Sequence, residues 1–219
     1  MAPPDAGIEV LAAYAASRGL EVVEGGRLPR TTPLLAEGEL RSVDAVVSGW
    51  LATYVEATLA VVTRADSRFT VAVTHLPKAK QFVPWMLCHR TEDEHLLGSA
   101  FEKLAHGERR VDLGSAELDA HYRIYADPQR DDVWLHELFS PAFIMFLIER
   151  APTGLSFEYV EGTLCVSLLG TRTLGEELDG LRDATVELVG KIRAEIRERL
   201  GEAKGRSAPT PPGYPPPAS

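Results

Sequence analysis

Apolar and polar residues alternate along this chain in two rhythms, a two-residue period and a three-to-four-residue step, which divide it into strands and helices. The clearest pattern runs from Leu113 to Gly170. Tyr122, Ile124 and Ala126 alternate with His121, Arg123 and Tyr125, which predicts a strand with one wet face. Asp127 before Pro128 is a helix-start signal, and Val133, Trp134 and Leu138 then recur at helical spacing, so an amphipathic helix is expected over 128–138. Ser140-Pro141 repeats the signal. Phe143 to Ile148 is apolar at every position, which predicts a core helix buried on nearly all sides. Pro152 and Gly154 end it. Leu155, Phe157 and Tyr159 oppose Ser156 and Glu158, Glu161-Gly162 supplies a tight turn, and Leu164, Val166 and Leu168 return, so a hairpin is expected to cover the core helix.

On the N-terminal side, Ile8, Leu11, Ala12 and Ala15 predict a helix over 5–18 that Gly19 stops, followed by a brief strand from Leu20 to Glu24. Three antiparallel strands are then expected, around Val43 to Ser48, Tyr54 to Thr63 and Phe69 to His75, with Arg64 to Ser67 as a turn. Gln81 to His89 adds a fourth, which Pro84 demotes to an edge or a bulge. A short helix is expected over Glu92 to His106, and a short strand over Arg109 to Leu113.

Thr173 and Glu176 fit a capping box opening a long helix, whose Leu174, Leu178, Leu181, Leu188, Ile192 and Ile196 form a stripe for the sheet. A coiled-coil homodimer is the alternative use of that stripe, but Thr185, Gly180 and Gly190 interrupt the repeat. Six prolines among the last eleven residues predict a disordered tail from 201, with a docking segment for a proline-reading module as the sharper idea. The expected architecture is a single α+β domain over 1–200, an antiparallel sheet of five or more strands packed against the long C-terminal helix and the short central helices.

The combination of Ser115 to Pro128 (SAELDAHYRIYADP), Ser140 to Ile148 (SPAFIMFLI) and Phe157 to Val166 (FEYVEGTLCV) resembles a bacterial domain family of unknown function. The similarity extends back through Phe69 to Pro77, with fainter traces in Leu11 to Glu24. It implies a fold and no chemistry, because its motifs are structural patterns without a catalytic residue. Membrane-spanning helices precede the domain in some members of that family, and this chain departs from them by having none.

Charge and composition narrow the function classes. A net charge of −9 opposes nucleic acid, whose binding needs clustered Lys and Arg. Arg109-Arg110 stands alone, and Arg193, Arg197 and Arg199 interleave with Glu195 and Glu198, which reads as a solvated helix face. The opening Met1-Ala-Pro-Pro-Asp lacks a secretory pattern, and the apolar run from Ala142 to Ile148 is far short of a membrane span, so a cytoplasmic protein is expected. Cys88 and Cys165 read as two reduced thiols, with a bridge between them left open.

Candidate chemistry is sparse. Cys88, His89, His95 and His106 suggest a metal, but their spacing matches no zinc pattern. His136-Glu137 lacks the second histidine of a metalloprotease helix, and Asp127, Asp131, Asp132 and Glu137 have a structural explanation as helix N-terminal charges. Gly25-Gly26 lacks the helix a phosphate cradle needs, and neither Ser140 nor Ser167 has an identifiable base. Trp50, Trp85 and Trp134 read as core or interface groups. No catalytic, cofactor or metal residue is therefore assigned. The expected function is a non-enzymatic protein-interaction or scaffold domain with an unidentified protein partner. The alternative is a small apolar ligand held between sheet and helices near Phe143 to Ile148, Phe157 and Tyr159.

Overall fold

The computed structural model describes residues 6–36, 40–81, 83, 85–92, 109–127, 129 and 133–206. Alternation becomes strands throughout: β1 (Glu21–Val22), β2 (Leu40–Ala52), β3 (Val55–Arg64), β4 (Ser67–His75), β5 (Met86–Arg90), β6 (Arg109–Arg110), β7 (Tyr122–Ala126), β8 (Leu155–Val160) and β9 (Thr163–Leu169). All pair antiparallel in one nine-stranded sheet of order β1-β2-β3-β4-β9-β8-β5-β7-β6. The α+β class expected from the sequence is what the chain forms. Glu161 and Gly162 both take positive φ, 51° and 85°, which closes the β8–β9 turn and favours glycine at the second position.

One face carries the helices: α1 (Ala6–Arg18), α2 (Ala116–His121), α3 (Val133–Leu138), α4 (Pro141–Met145) and α5 (Gly175–Arg206). Leu178, Leu181, Leu188 and Ile192 of α5 are fully buried in one core with Phe143, Phe157, Tyr159, Leu164 and Val166. These four of the six stripe residues are thus spent on the chain's own sheet, while Leu174 is 53% exposed and Ile196 is half-buried. Thr185, an interruption to a heptad, fits here because its hydroxyl donates to the Leu181 carbonyl one turn back. Tyr14 of α1 donates to Asp179 of α5 at 2.9 Å, and burial raises its phenol to about 12. Tyr14→Phe is expected to lower stability by about 1 kcal/mol, seen as a lower urea midpoint at unchanged slope.

Several expectations need correction. β5 is an interior strand between β8 and β7, because Pro84 precedes it and leaves its ladder intact. Within Phe143 to Ile148 Phe143 and Leu147 are buried; Met145 is 42% exposed, and the segment turns π-helical over Phe146–Arg150, so one side faces water. Val133 is exposed and Leu135 takes its place in the core. The long helix starts at Gly175, and Glu177, one residue after the predicted partner, accepts from the Thr173 and Leu174 N–H groups. α2, capped by Ser115, has no counterpart in the sequence pattern, because Ala116 to His121 is too short to show a helical period. The helix expected over 92–106 lies outside the described residues from 93 onward, as do 128, 130–132 and the tail from 207. α5 itself runs on to Arg206, past the composition change at Gly201. Among the described residues no helix is long and apolar enough to cross a membrane.

The sheet's second face has its own core. Val46, Ala60, Val62, Phe69, Val71, Val73 and Cys165 point there, covered by Leu28, Leu34 and Leu35 of the segment between β1 and β2. That strap closes over the polar side chains of this face.

Candidate functional site

Two places gather chemistry, one closed and one open. The closed one lies under the strap. Glu158 of β8 and Cys165 of β9 are register partners, and His89 of β5 and Arg64 at the end of β3 join them from either side. Alternation alone predicts that Glu158 and His89 leave the helix-facing core. It does not predict that a strap buries them: Arg64 and Glu158 are fully buried and His89 is 2% exposed.

The strap is gripped by polar contacts. Arg64 Nη1 donates to the carbonyls of Pro33 at 2.6 Å and Leu34 at 3.2 Å, while the Leu34 N–H donates to Glu158 Oε2 at 2.9 Å. His89 Nε2 lies 3.4 Å from Glu158 Oε1. Burial pushes Glu158 up to about 7, against the opposing pull of the Leu34 N–H, the Thr32 hydroxyl and the Arg64 charge. Burial alone drives His89 down to about 3, and it raises the Cys165 thiol well above its ordinary value, with the nearby Glu158 adding to that. Both members of the pair are therefore held uncharged near pH 5 to 6, the carboxyl keeping its proton and the imidazole lacking one. A thiol so raised is a poor nucleophile. These groups lock the strap to the sheet.

Cys88 points into the helix-side core and Cys165 into the strap-side core, so the sheet separates them and both thiols are free. Among the described residues no three of His, Cys, Asp and Glu are grouped to hold a metal ion. His95, His106, Asp131 and Asp132 lie outside those residues. His136 and Glu137 are exposed on α3, and Ser167 donates to the Ser156 carbonyl at 3.4 Å in the strap-side interior. Trp134 is in the helix-side core. The rings named for an apolar pocket, Phe143 and Phe157, sit with centroids 6.4 Å apart and a third ring, Phe139, against both.

The open place is at the far end of the β2–β3 hairpin. Trp50 is 62% exposed and Tyr54, in the turn, 49%. Two grooves of about 570 and 700 Å³ meet there, sharing Tyr54, His75 and Arg193. The first runs along the strap-side face past Trp50 and Pro29; the second passes between α5 and the β4–β5 connection, along Pro77 and Ile196. Arg193 is centred 5.2 Å over the Tyr54 ring, which fixes the corner where they join. The sequence places Arg193 and Arg197 on a solvated face and reads Trp50 as a core or interface group, without bringing the three together. The missed signal was a pair of aromatics at one hairpin end, Trp50 near the end of β2 and Tyr54 in the two-residue turn Thr53-Tyr54.

No family model, no curated protein and no solved structure matches this chain. Fold and grooves together define a class, an α+β protein built on one antiparallel sheet with an exposed aromatic corner. The functional reading rests on that geometry.

Proposed function

We propose that this chain is a protein-interaction domain whose docking surface is the groove around Trp50 and Tyr54. The observation that carries the reading is the exposure of these two large aromatics beside a continuous concavity. Aromatic residues at such a density are characteristic of binding hot spots, and solitary surface residues would not line a shared groove. Leu178, Leu181, Leu188 and Ile192 of the helix stripe are consumed by the core, and the buried polar cluster is closed to ligands, so neither competes for this role. Membership of the bacterial family of unknown function that the central stretch resembles is part of the same reading, as is a cytoplasmic setting, in which two buried free thiols stay reduced.

The test is capture from native lysate by full-length protein and by Trp50→Ala. Trp50 is exposed, so its loss leaves the fold intact. The expected result is a specific protein recovered with the wild type and reduced about tenfold or more with the variant, the usual weight of a buried hot-spot aromatic. Equal recovery by both chains would remove the groove from the account.

A further inference from the structure

From the charges that line the groove we infer its partner's chemistry: an extended acidic segment, carrying aromatic or proline residues, of another protein. The inference rests on the docking role proposed for the groove and deepens it. The two grooves carry three cations, Lys78, Arg193 and Arg197, against the single carboxylate of Glu56. The chain as a whole carries −9, so the positive charge here runs against the molecule's own field. Among the described residues Lys78, Arg193 and Arg197 make no ion pair, whereas Lys80, Arg90 and Arg172 each have a carboxylate within 3.4 Å. Arg193 is held over Tyr54, and Arg197 donates to the Arg193 carbonyl one turn back at 3.4 Å, so α5 presents both guanidiniums along one groove wall.

Electrostatic complementarity selects the occupant. A basic or neutral segment would leave three unpaired cations facing it, and a polyanionic nucleic acid would meet the repulsion of the remaining surface. A short run of Glu or Asp pairs with Lys78 and the two arginines, while a ring or a proline lies on Trp50 between Pro29 and the Tyr54 corner. The proline segment 209–217 of this chain has the apolar character but contains no acidic residue. It is the competing occupant.

The experiment is fluorescence anisotropy with labelled short peptides on the full-length protein. One peptide alternates glutamate with tyrosine, one lysine with tyrosine, one serine with tyrosine, and one copies residues 209–217. Expected is preferential binding of the Glu-Tyr peptide, weakened roughly tenfold on raising salt well past physiological strength. Arg193→Glu with Arg197→Glu is expected to weaken it on the order of a hundredfold. Lys78→Glu, which leaves the sequence of α5 unchanged, is expected to weaken it about tenfold.

Equal binding of the serine peptide, or tighter binding of the 209–217 peptide, overturns the acidic assignment. If Trp50→Ala still abolishes that binding, the docking role of the groove survives. If no peptide binds, the inference fails. The lysate comparison then decides separately whether the docking role fails with it.

Discussion

Arg64→Met is expected to lower the unfolding free energy by roughly 3 kcal/mol, from two buried carbonyls that each lose a donor at about 1–2 kcal/mol apiece. The carbonyls are those of Pro33 and Leu34, which both accept from the fully buried guanidinium; the Pro33 carbonyl keeps a second, longer donor in the Ala36 N–H at 3.3 Å. Methionine matches the length of the arginine stem, so packing is largely kept and the loss isolates the grip on the strap. Equilibrium urea unfolding measures it. A change below about 0.5 kcal/mol, the range of ordinary surface substitutions, would mean that the strap is held by Leu28, Leu34 and Leu35 alone.

A second large effect is a pH dependence that Glu158→Gln removes. Glu158 is raised from 4.5 to about 7, so the folded chain holds a proton that the unfolded chain has released. Its stabilising contribution is complete below 4.5 and is lost as pH rises through 7. His89 is lowered from 6.5 to about 3, so its contribution is complete above 6.5 and is lost as pH falls through 3. Between 4.5 and 6.5 the two slopes oppose each other, and only the histidine slope remains below that window.

Glutamine keeps an oxygen for the Leu34 N–H without the ionisation. Glu158→Gln should therefore be more stable than the wild type at pH 8, by on the order of 2–3 kcal/mol, and close to it at pH 4.5. Comparing the two proteins cancels the other titrating groups. A difference that does not change between those pH values would contradict the buried, proton-holding carboxyl.

The fold was legible where both rhythms are strong. β7, the β8–β9 hairpin and the α5 stripe follow from period and turn residues alone, because packing against a single sheet demands little beyond them. Legibility failed where a contact distant in sequence decides. Glu158 alternates outward as a solvent-facing residue does, and only a strap that lies 124 residues earlier makes it interior. Arg64 reads as a turn residue in the sequence for the same reason. Position 84 misled because a proline just before a strand and one within it look alike until pairing is known. Phe143 to Ile148 misled because composition cannot indicate that only one side of the segment, with Phe143 and Leu147, meets the core while Met145 faces water. The groove was hardest to read, since it brings together a hairpin turn, the β4–β5 connection and a helix more than a hundred residues beyond them.

The central claim, that contacts with a protein partner run through the aromatic corner, is tested most directly by photocrosslinking in native lysate from position 50. Trp50→p-benzoylphenylalanine is compared with the same replacement at Val133, an equally exposed apolar residue on α3. The account predicts a discrete adduct from position 50, absent at position 133 and abolished by Arg193→Glu. Adducts of equal yield from both positions, or none from position 50, would contradict it.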